Sequence, residues 1–244
     1  MTRMCITGGG GFIGSHFADR LLNAGHEVVV VDNFSSGHRS FLSDALGSTR
    51  CRLVEGDVLD EAVLDEAFAG CEWVIHLQAN ADVRHGLEHP TLDLQQNTVA
   101  TSKVLEAMRR AGITRILFSS TGSIYGEPDV FPTPEDAPFP VQTSLYGASK
   151  LACEGLIAAY VAGFDFTAIV CRFVSILGER YTHGHVLDFY NALKIDPSTL
   201  TVLGNGRQEK SYLYVGDCIE AMHIAMDHHR DEIGVHIYNL GTDE

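Results

Sequence analysis

A phenol and an ammonium lie four residues apart in the segment Tyr146–Lys150, which has the pattern Y-x-x-x-K. On a helix, side chains at this spacing project from the same face. A free tyrosine titrates at about pH 10, and a neighbouring positive charge favours its phenolate form. Such a tyrosine can take a proton from a hydroxyl group as hydride leaves the same carbon. Isolated Y-x-x-x-K pairs are usually surface pairs, so the surrounding elements decide what this one does.

The hydroxyl groups of Ser119, Ser120 and Thr121 come at the end of a predicted strand. They are suited to hydrogen-bonding the oxygen on which such a reaction takes place. A hydroxyl cluster and a Tyr-Lys pair in one chain therefore favour an active site over a surface pair.

Three glycines near the N-terminus, Gly8, Gly11 and Gly14, have the pattern G-x-x-G-x-x-G between an apolar run and a helical pattern. The first glycine allows a tight turn, the second a close approach to a pyrophosphate, and the third close packing of helix on strand. The free N–H groups of Phe12 and Ile13 would then face the phosphate at the helix N-terminus. The segment predicts a dinucleotide site rather than a plain turn.

The second apolar run, Glu27–Val31, ends in Asp32, followed by Asn33. A carboxylate at this place accepts hydrogen bonds from an adenosine ribose, which favours NAD over NADP. With NAD bound, Lys150 and the cationic nicotinamide ring would together bring the pKa of Tyr146 toward neutrality. Asp57, just past the third strand, would either hold the adenine amino group or serve only as a turn residue.

Apolar runs alternate with helical patterns along most of the chain. We predict strands at Met4–Ile6, Glu27–Val31, Arg52–Glu55, Glu72–His76, Arg115–Ser119 and Phe166–Phe173, and helices at Phe12–Ala24, Arg39–Leu46, Asp60–Ala69, Thr91–Ala111 and Ser144–Ala162. This alternation predicts an α/β fold with a doubly wound parallel (Rossmann) sheet. Ligands then collect beyond the carboxyl ends of the strands, near Gly8, Asp32, Asp57, His76–Ala79 and Ser119–Thr121.

Beyond Ser175 the alternation loosens. We expect helices at Val186–Leu193 and Gly216–His228, and strands at Leu200–Leu203, Ser211–Val215 and Val235–Leu240. Residues 1–174 are therefore predicted to form an NAD-binding domain. Residues 175–244 would form the start of a smaller substrate-binding lobe, interleaved with the last Rossmann elements.

Composition excludes several classes of protein. The 244 residues are 45% hydrophobic and carry a net charge of −15 without a Lys/Arg cluster, which argues against a nucleic-acid partner. No apolar run of about 18 residues predicts a membrane helix, and the first strand follows the N-terminus too closely for a signal peptide. The cysteines form no C-x-x-C pair, so we expect reduced core thiols in a cytoplasmic protein. His183 and His185 lack a further metal ligand nearby and are expected in a solvated loop, and we predict no metal site.

These segments together resemble the extended short-chain dehydrogenase/reductase family, in particular its NAD-dependent nucleotide-sugar epimerase/dehydratase branch. The likeness spans essentially the whole chain and rests on Thr7–Gly14, Val31–Asn33, Gly56–Asp57, His76–Leu77, Ser119–Thr121 with Tyr125–Gly126, Tyr146–Lys150 and Gly204–Gly206. It implies a triad of Thr121, which holds the substrate hydroxyl, Tyr146 as the base, and Lys150, which binds the nicotinamide ribose. It implies NAD contacts from Gly8, Gly11, Phe12, Ile13, Gly14, Asp32, Asn33, Asp57, Val58, Leu77, Gln78, Ala79, Asn97, Ser119, Tyr146 and Lys150.

Two positions after Thr121 depart from part of this branch. Its 4,6-dehydratases carry an Asp-Glu pair there, and its UDP-glucuronate decarboxylases carry a Glu, whereas this chain has Gly122 and Ser123. Elimination of water needs an acid and a base, but a 4-epimerase does not. The resemblance therefore implies epimerisation of a nucleotide-diphosphate sugar at C4 through a 4-keto intermediate. The alternatives are a 4,6-dehydratase, a keto-sugar reductase, or a non-catalytic NAD-binding protein.

On the substrate side, the resemblance implies contacts from Arg84, Thr121, Ser123, Ser175 and Lys210. Ser175 replaces the family's usual Asn and Lys210 its usual Arg, which suggests a less common nucleotide sugar. Arg84 could pair with a uronate carboxylate or be only a surface charge. The helices Thr91–Ala111 and Ser144–Ala162 resemble those of a homodimer interface, although their apolar faces could be core alone. Family members usually continue well beyond a segment like Tyr238–Gly241, so the substrate lobe is expected to be incomplete.

Overall fold

Strands and helices alternate along the chain in the computed structural model, which describes residues 1–80, 88–202, 204–206 and 210–242. The strands in these residues are β1 (Arg3–Thr7), β2 (Glu27–Asp32), β3 (Cys51–Glu55), β4 (Trp73–His76), β5 (Arg115–Thr121), β6 (Thr167–Phe173), β7 (Ser175–Leu177), β8 (Tyr212–Tyr214) and β9 (Gly234–Leu240). Seven of these described strands form one sheet in the order β3-β2-β1-β4-β5-β6-β9, and every pair in it is parallel. A second, two-stranded parallel sheet joins β7 and β8.

Helices cover both faces of the main sheet. They are α1 (Phe12–Asn23), α2 (Ser43–Leu46), α3 (Glu61–Phe68), α4 (Thr91–Asp93), α5 (Ala100–Ala111), α6 (Leu145–Phe164), α7 (His185–Ile195) and α8 (Val215–His228). Alternate strand residues face opposite sides: Val28 and Val30 pack with residues of α1 and α8 in one buried cluster. Val29 and Val31 pack with residues of α3, α5 and α6 in the other. The predicted doubly wound α/β fold is confirmed.

The glycine segment brings α1 into backbone contact with the strand ends. A Cβ atom on Gly14 would lie 2.3 Å from the carbonyl oxygen of Gly8, and one on Gly8 would lie 2.7 Å from the backbone N of Gln78. Gly8 also has a φ of +73°, a conformation that side chains other than hydrogen disfavour. The close packing predicted for Gly14 is therefore present, and it fixes the start of α1 beside β1 and β4.

The helical stretch predicted at Thr91–Ala111 is interrupted by a π-helical turn, Leu94–Val99, between α4 and α5. It ends at Gly112, whose φ of 72° gives the left-handed termination expected of a glycine after a helix. The π turn places Asn97 in the buried region between α4 and α6.

Two short elements differ from the sequence prediction. Leu200–Val202 form no strand; Val202 is exposed, and an apolar run becomes a strand only where a neighbour completes its hydrogen bonds. Ser175–Leu177 do form a strand, although three residues show no readable period. Leu203 and Arg84 lie outside the described residues. Among the described helices, none combines the length and apolar composition needed to span a lipid bilayer.

The tight packing of Gly14 predicts a large cost for Gly14→Ala. Because the added methyl group would meet backbone atoms that cannot rotate away, we expect a loss of about 1–3 kcal/mol in the free energy of unfolding. Gly155→Ala is the matched control, since Gly155 lies in α6 with no atom within 4 Å of an added Cβ. That change should stabilise the protein by about 1 kcal/mol or less. Equal effects of the two substitutions on urea unfolding would contradict this account.

Candidate active site

The start of α6 and the end of β5 bring the predicted triad together. Ser144 caps α6 by accepting a hydrogen bond from the backbone N–H of Gly147, and thereby fixes the first turn, which carries Tyr146. Thr121 is the last residue of β5 and is buried. The Tyr146 side chain lies close enough to Thr121 for that hydroxyl to influence the pKa of the phenol. The Tyr146 phenol and a strand-end hydroxyl therefore lie close together, as the family resemblance implies.

Lys150 lies one turn further along α6 with only 2% of its surface exposed. Its ammonium donates a hydrogen bond of 2.6 Å to the carbonyl oxygen of Ser119, and it lies 4.6 Å from the centre of the Phe118 ring. Burial lowers the pKa of Lys150 to about 8, while Cys153 and Glu154 oppose that fall. The lysine thus remains a cation near neutral pH, held against the end of β5.

In the cofactor-free protein, the pKa of Tyr146 lies above its ordinary value. Burial raises it to about 12; the hydrogen bond with Thr121 opposes this rise, and the negative charge of Asp93 adds to it. The lysine on the same helix face is therefore not enough to favour the phenolate, because Tyr146 loses more by leaving water. Lowering this pKa toward neutrality requires a further positive charge at the site.

This arrangement predicts that Tyr146 stays protonated across the neutral range when no cofactor is bound. The ultraviolet difference spectrum between wild type and Tyr146→Phe, which cancels the other seven of the eight tyrosines, should stay flat from about pH 7 to 10. Adding NAD⁺ should move the phenolate signal to lower pH, because a cation favours the anionic form. A phenolate step near neutral pH without NAD⁺ would contradict this reading.

A buried polar network supports α6 from the side of α4. The Asn97 amide donates to Ser149 Oγ at 2.8 Å, and its oxygen accepts from the backbone N–H of Asn80 at 2.9 Å. The Asn80 amide in turn donates to Asp93 Oδ1 at 2.8 Å. Asn97, predicted as a cofactor contact, therefore uses its side chain within the protein. Asp93 was not singled out from the sequence, because only the fold brings it to Tyr146.

The predicted cofactor residues form a cradle at the carboxyl edge of the sheet. The backbone of Gly8 touches Leu77 and Gln78, so an additional side chain would fill the space between β1 and β4. Within the described residues, no side chain caps α1 at Gly11, and the first turn holds no acidic residue. The buried Oε1 atom of Gln78 has no hydrogen-bond partner there either. A helix N-terminus with free N–H groups beside a bare glycine turn fits a pyrophosphate.

Asp32 lies at the end of β2, and its carboxylate is held in place by the backbone. Oδ2 accepts from the N–H of Gly10 at 2.8 Å and Oδ1 from the N–H of Phe34 at 2.7 Å. Burial raises the pKa of Asp32, and these two hydrogen bonds oppose the rise. Each oxygen keeps a second lone pair for a ribose hydroxyl.

Asn33 and Asp57 lie next to each other beyond β2 and β3. The Asn33 amide donates to Asp57 Oδ2 at 3.0 Å, and the backbone N–H of Leu59 donates to Asp57 Oδ1 at 2.9 Å. Asp57 therefore does act as a turn residue, which leaves its contact with adenine as a prediction. Of the other predicted cofactor contacts, Val58 is buried, whereas Ile13 and Ala79 are half-buried.

His76, at the end of β4, is fully buried and structural. Its Nδ1 lies 2.7 Å from Thr7 Oγ1 and its Nε2 lies 3.1 Å from Thr101 Oγ1. Burial, reinforced by the charge of Lys150, lowers the pKa of His76 to about 3. The neutral ring therefore links β1, β4 and α5 beneath the glycine turn.

A second buried network, missed from the sequence, ties α6 to β6. Arg172 and Glu154, with side chains 2% and 9% exposed, form a two-point ion pair with bonds of 3.1 and 2.8 Å. Glu154 also accepts a short hydrogen bond from Ser120. Arg172 donates to the carbonyl of Glu135 at 2.8 Å and to the Tyr125 hydroxyl. This network anchors the Pro-rich segment 126–143 beside the site. The sequence does hold one signal of this network, because Arg172 is a charged residue within the otherwise apolar strand Thr167–Phe173.

This pair predicts a large effect of Arg172→Met. Removing one partner leaves the Glu154 carboxylate buried without its cation, which costs about 3–5 kcal/mol of unfolding free energy. Arg109→Met is the control, since its partner Glu106 lies on the surface at 2.7 Å and exposed pairs contribute little. Denaturant titration of both variants tests this. Similar, small losses of unfolding free energy in the two variants would show that burial of the Glu154 carboxylate does not require the charge of Arg172.

The predicted substrate contacts are spread around the triad. Ser123 is exposed, and its Oγ accepts from Thr121 Oγ1 at 3.1 Å. Ser175 begins β7, opposite Tyr212 of β8, and Lys210 lies exposed just before β8. The structure thus brings Ser123 to the triad, and places Ser175 on the small second sheet with Lys210 just outside it. The contact predicted for Arg84 falls outside the described residues.

The fold and this site together define a doubly wound dinucleotide-binding protein with a tyrosine-lysine pair at its carboxyl edge. Residues 4–241 match the NAD dependent epimerase/dehydratase family, and the chain belongs to that family. Within the short-chain dehydrogenases/reductases this is the extended branch that the sequence resembles.

Named relatives show the range of reactions in the family. The chain is 36% identical over 259 residues to the UDP-glucose 4-epimerase of Corynebacterium glutamicum, covering 98% of this chain and 75% of that protein. It is 30% identical to UDP-glucuronic acid decarboxylase 1 of Danio rerio, covering 90% of this chain and 53% of that protein. The crystal structure of the UDP-glucose 4-epimerase of Thermus thermophilus in complex with NAD has a TM-score of 0.85 at 32% identity, covering 99% of this chain and 78% of that one. The relatives define an enzyme family, not one reaction.

Proposed function

We propose that the protein is an NAD-dependent enzyme that epimerises a nucleotide-diphosphate sugar at C4 through a transient 4-keto intermediate. The observation that carries this proposal is the meeting of Thr121, Tyr146 and Lys150 beside Gly122–Ser123, a segment with no carboxyl group. The triad suits removal of a proton from a sugar hydroxyl, and the neighbouring residues do not supply the acid and base that elimination needs.

The site would fit NAD through the predicted cofactor residues at the carboxyl edge of the sheet. The pyrophosphate would be held at the N-terminus of α1 by Gly11, Phe12 and Ile13, and the adenosine ribose by Asp32. When bound, NAD supplies a hydride acceptor that later returns the hydride to the sugar. The fixed carboxylate of Asp32 would repel the extra phosphate of NADP, which supports the choice of NAD.

The chain's own residues would move the proton. Tyr146 would take the proton of the C4 hydroxyl, Thr121 would hold that oxygen, and Lys150 would stabilise the phenolate by its charge. After the keto-sugar turns over in the site, so that its other face would receive the hydride, Tyr146 would return the proton to the C4 oxygen. Lys150 keeps its position throughout, because the Ser119 carbonyl holds its ammonium.

We further infer that the sugar and its diphosphate are bound by Arg84, Ser123, Ser175 and Lys210. Residues 1–174 would bind the cofactor, and residues 175–244 would carry the start of the substrate lobe. A homodimer through the faces of α5 and α6 is part of the same proposal.

The reaction is tested with purified protein and no added cofactor. We expect it to convert one member of a panel of UDP-, GDP-, CDP- and dTDP-sugars, uronates included, to a product of unchanged mass with inverted C4. NMR and mass spectrometry follow each reaction. A product lighter by one water would indicate a dehydratase, and loss of carbon dioxide a decarboxylase. An absolute need for added NAD(P)H would indicate a reductase.

Tyr146→Phe tests the role of the phenol. Loss of a positioned acid-base group should reduce kcat by about 10²- to 10⁴-fold. Tyr160→Phe is the matched control on the same helix, because its hydroxyl lies 3.3 Å from Glu106, not at the triad. Bound NAD with no turnover of any sugar, or wild-type activity in Tyr146→Phe, would favour the alternative of a non-catalytic NAD-binding protein or another base.

A further inference from the structure

Three histidines and a glutamate meet where α8 passes into β9, away from the triad. His228, His229 and Glu232 each offer a metal-ligating atom, and these atoms lie within 4.8 Å of one another. Gly234 at the start of β9 pairs with Thr167 at the start of β6. The cluster therefore lies toward the amino edge of the sheet, opposite the edge that carries the triad.

The position and orientation of the His229 ring are fixed by its neighbours, as is typical of a metal ligand. It is 8% exposed, and its ring stacks on that of His236 with the centroids 3.7 Å apart. Its Nε2 is engaged by the Tyr238 hydroxyl, while its Nδ1 faces Glu232 Oε2 at 2.7 Å. An outer hydrogen bond on one ring nitrogen, which orients the other toward the metal, is typical of metal-binding histidines.

The turn that carries these groups is itself fixed. Arg115 donates to the carbonyl oxygen of Arg230 at 2.7 Å and forms an ion pair with Asp231 at 3.0 Å. His236 Nε2 lies 3.1 Å from the carbonyl oxygen of Glu232. His228 is exposed at the end of α8, and its ring packs edge-on against that of His229, with the centroids 4.5 Å apart.

We propose that His228, His229 and Glu232 bind one Zn²⁺ ion, with water completing a tetrahedral set. The cation would lie between His229 Nδ1 and Glu232 Oε2 and replace the hydrogen bond that now joins them. Two imidazole nitrogens and a carboxylate are ligands that zinc accepts, at bond lengths of about 2.0–2.2 Å. Such ligand atoms lie about 3.4 Å apart in a tetrahedral site, so modest side-chain rotations suffice. Zinc here would fasten the end of α8 to the turn that leads into the edge strand β9.

This site was not foreseen from the sequence, which led us to expect no metal. Two adjacent histidines and a glutamate at the end of a helix are ordinary surface residues. The fold adds what the sequence lacks, namely the stacked ring of His236 and the hydroxyl of Tyr238, which both come from β9.

The test is a calorimetric titration of untagged, EDTA-treated, full-length protein with ZnCl₂. We expect one Zn²⁺ per chain, a rise in Tm on binding, and no binding of Mg²⁺, which prefers oxygen ligands. Tyr238→Phe should weaken binding by about 10- to 100-fold through loss of the outer hydrogen bond. His228→Gln and Glu232→Gln, both at exposed positions, should weaken it at least as much.

His183→Gln is the matched control, because His183 is an exposed histidine outside the cluster whose Nδ1 lies 2.9 Å from Thr182 Oγ1. It should bind Zn²⁺ as the wild type does. X-ray absorption of the zinc-loaded protein should show only nitrogen and oxygen ligands, without the Zn–S distance of about 2.3 Å. Sulfur ligation, wild-type affinity in both His228→Gln and Glu232→Gln, or no binding by the wild type would each overturn the proposal.

Discussion

The hydrogen bond from the Lys150 ammonium to the Ser119 carbonyl fixes the relation between α6 and β5. A buried ammonium without an acceptor would be strongly unfavourable, so the helix can take only a position in which the strand end is within reach. That position in turn places Tyr146, one turn earlier on α6, beside Thr121, two residues later on β5. The geometry of the triad thus follows from the need to satisfy one buried charge.

Two further polar contacts also fix the position of α6. Ser149 accepts from Asn97 in the π-helical turn, and Glu154 pairs with Arg172 of β6. Three polar residues within two turns of one helix therefore bind three different elements. Such a helix has little freedom to shift. Burial raises the pKa of Tyr146, at the start of this helix, to about 12, and an added positive charge would favour its phenolate form.

Local patterns were sufficient where short-range geometry decides the structure. The glycine spacing predicted the turn and the packing of Gly14, and the i, i+4 spacing predicted a shared face for Tyr146 and Lys150. Local patterns failed where a distant partner decides. Leu200–Val202 had the composition of a strand without a neighbour to pair with, and the Arg172–Glu154 ion pair joins residues 18 positions apart. The raised pKa of Tyr146 in the cofactor-free protein comes from burial, which no pattern of charges along the chain reveals.

The π-helical turn at Leu94–Val99 changes the direction in which side chains project from the helical segment before and after it. Each added residue rotates the following side chains by about 100° around the axis, so a turn wider by one residue offsets α5 from α4. Asp93 before the π turn and Asn97 within it face the polar network, and Val104 and Met108 after it face the apolar core. The number of residues in the π turn therefore sets the rotation of α5 relative to α4. The sequences of relatives are best aligned separately on the two sides of this turn, and not by one helical period across it.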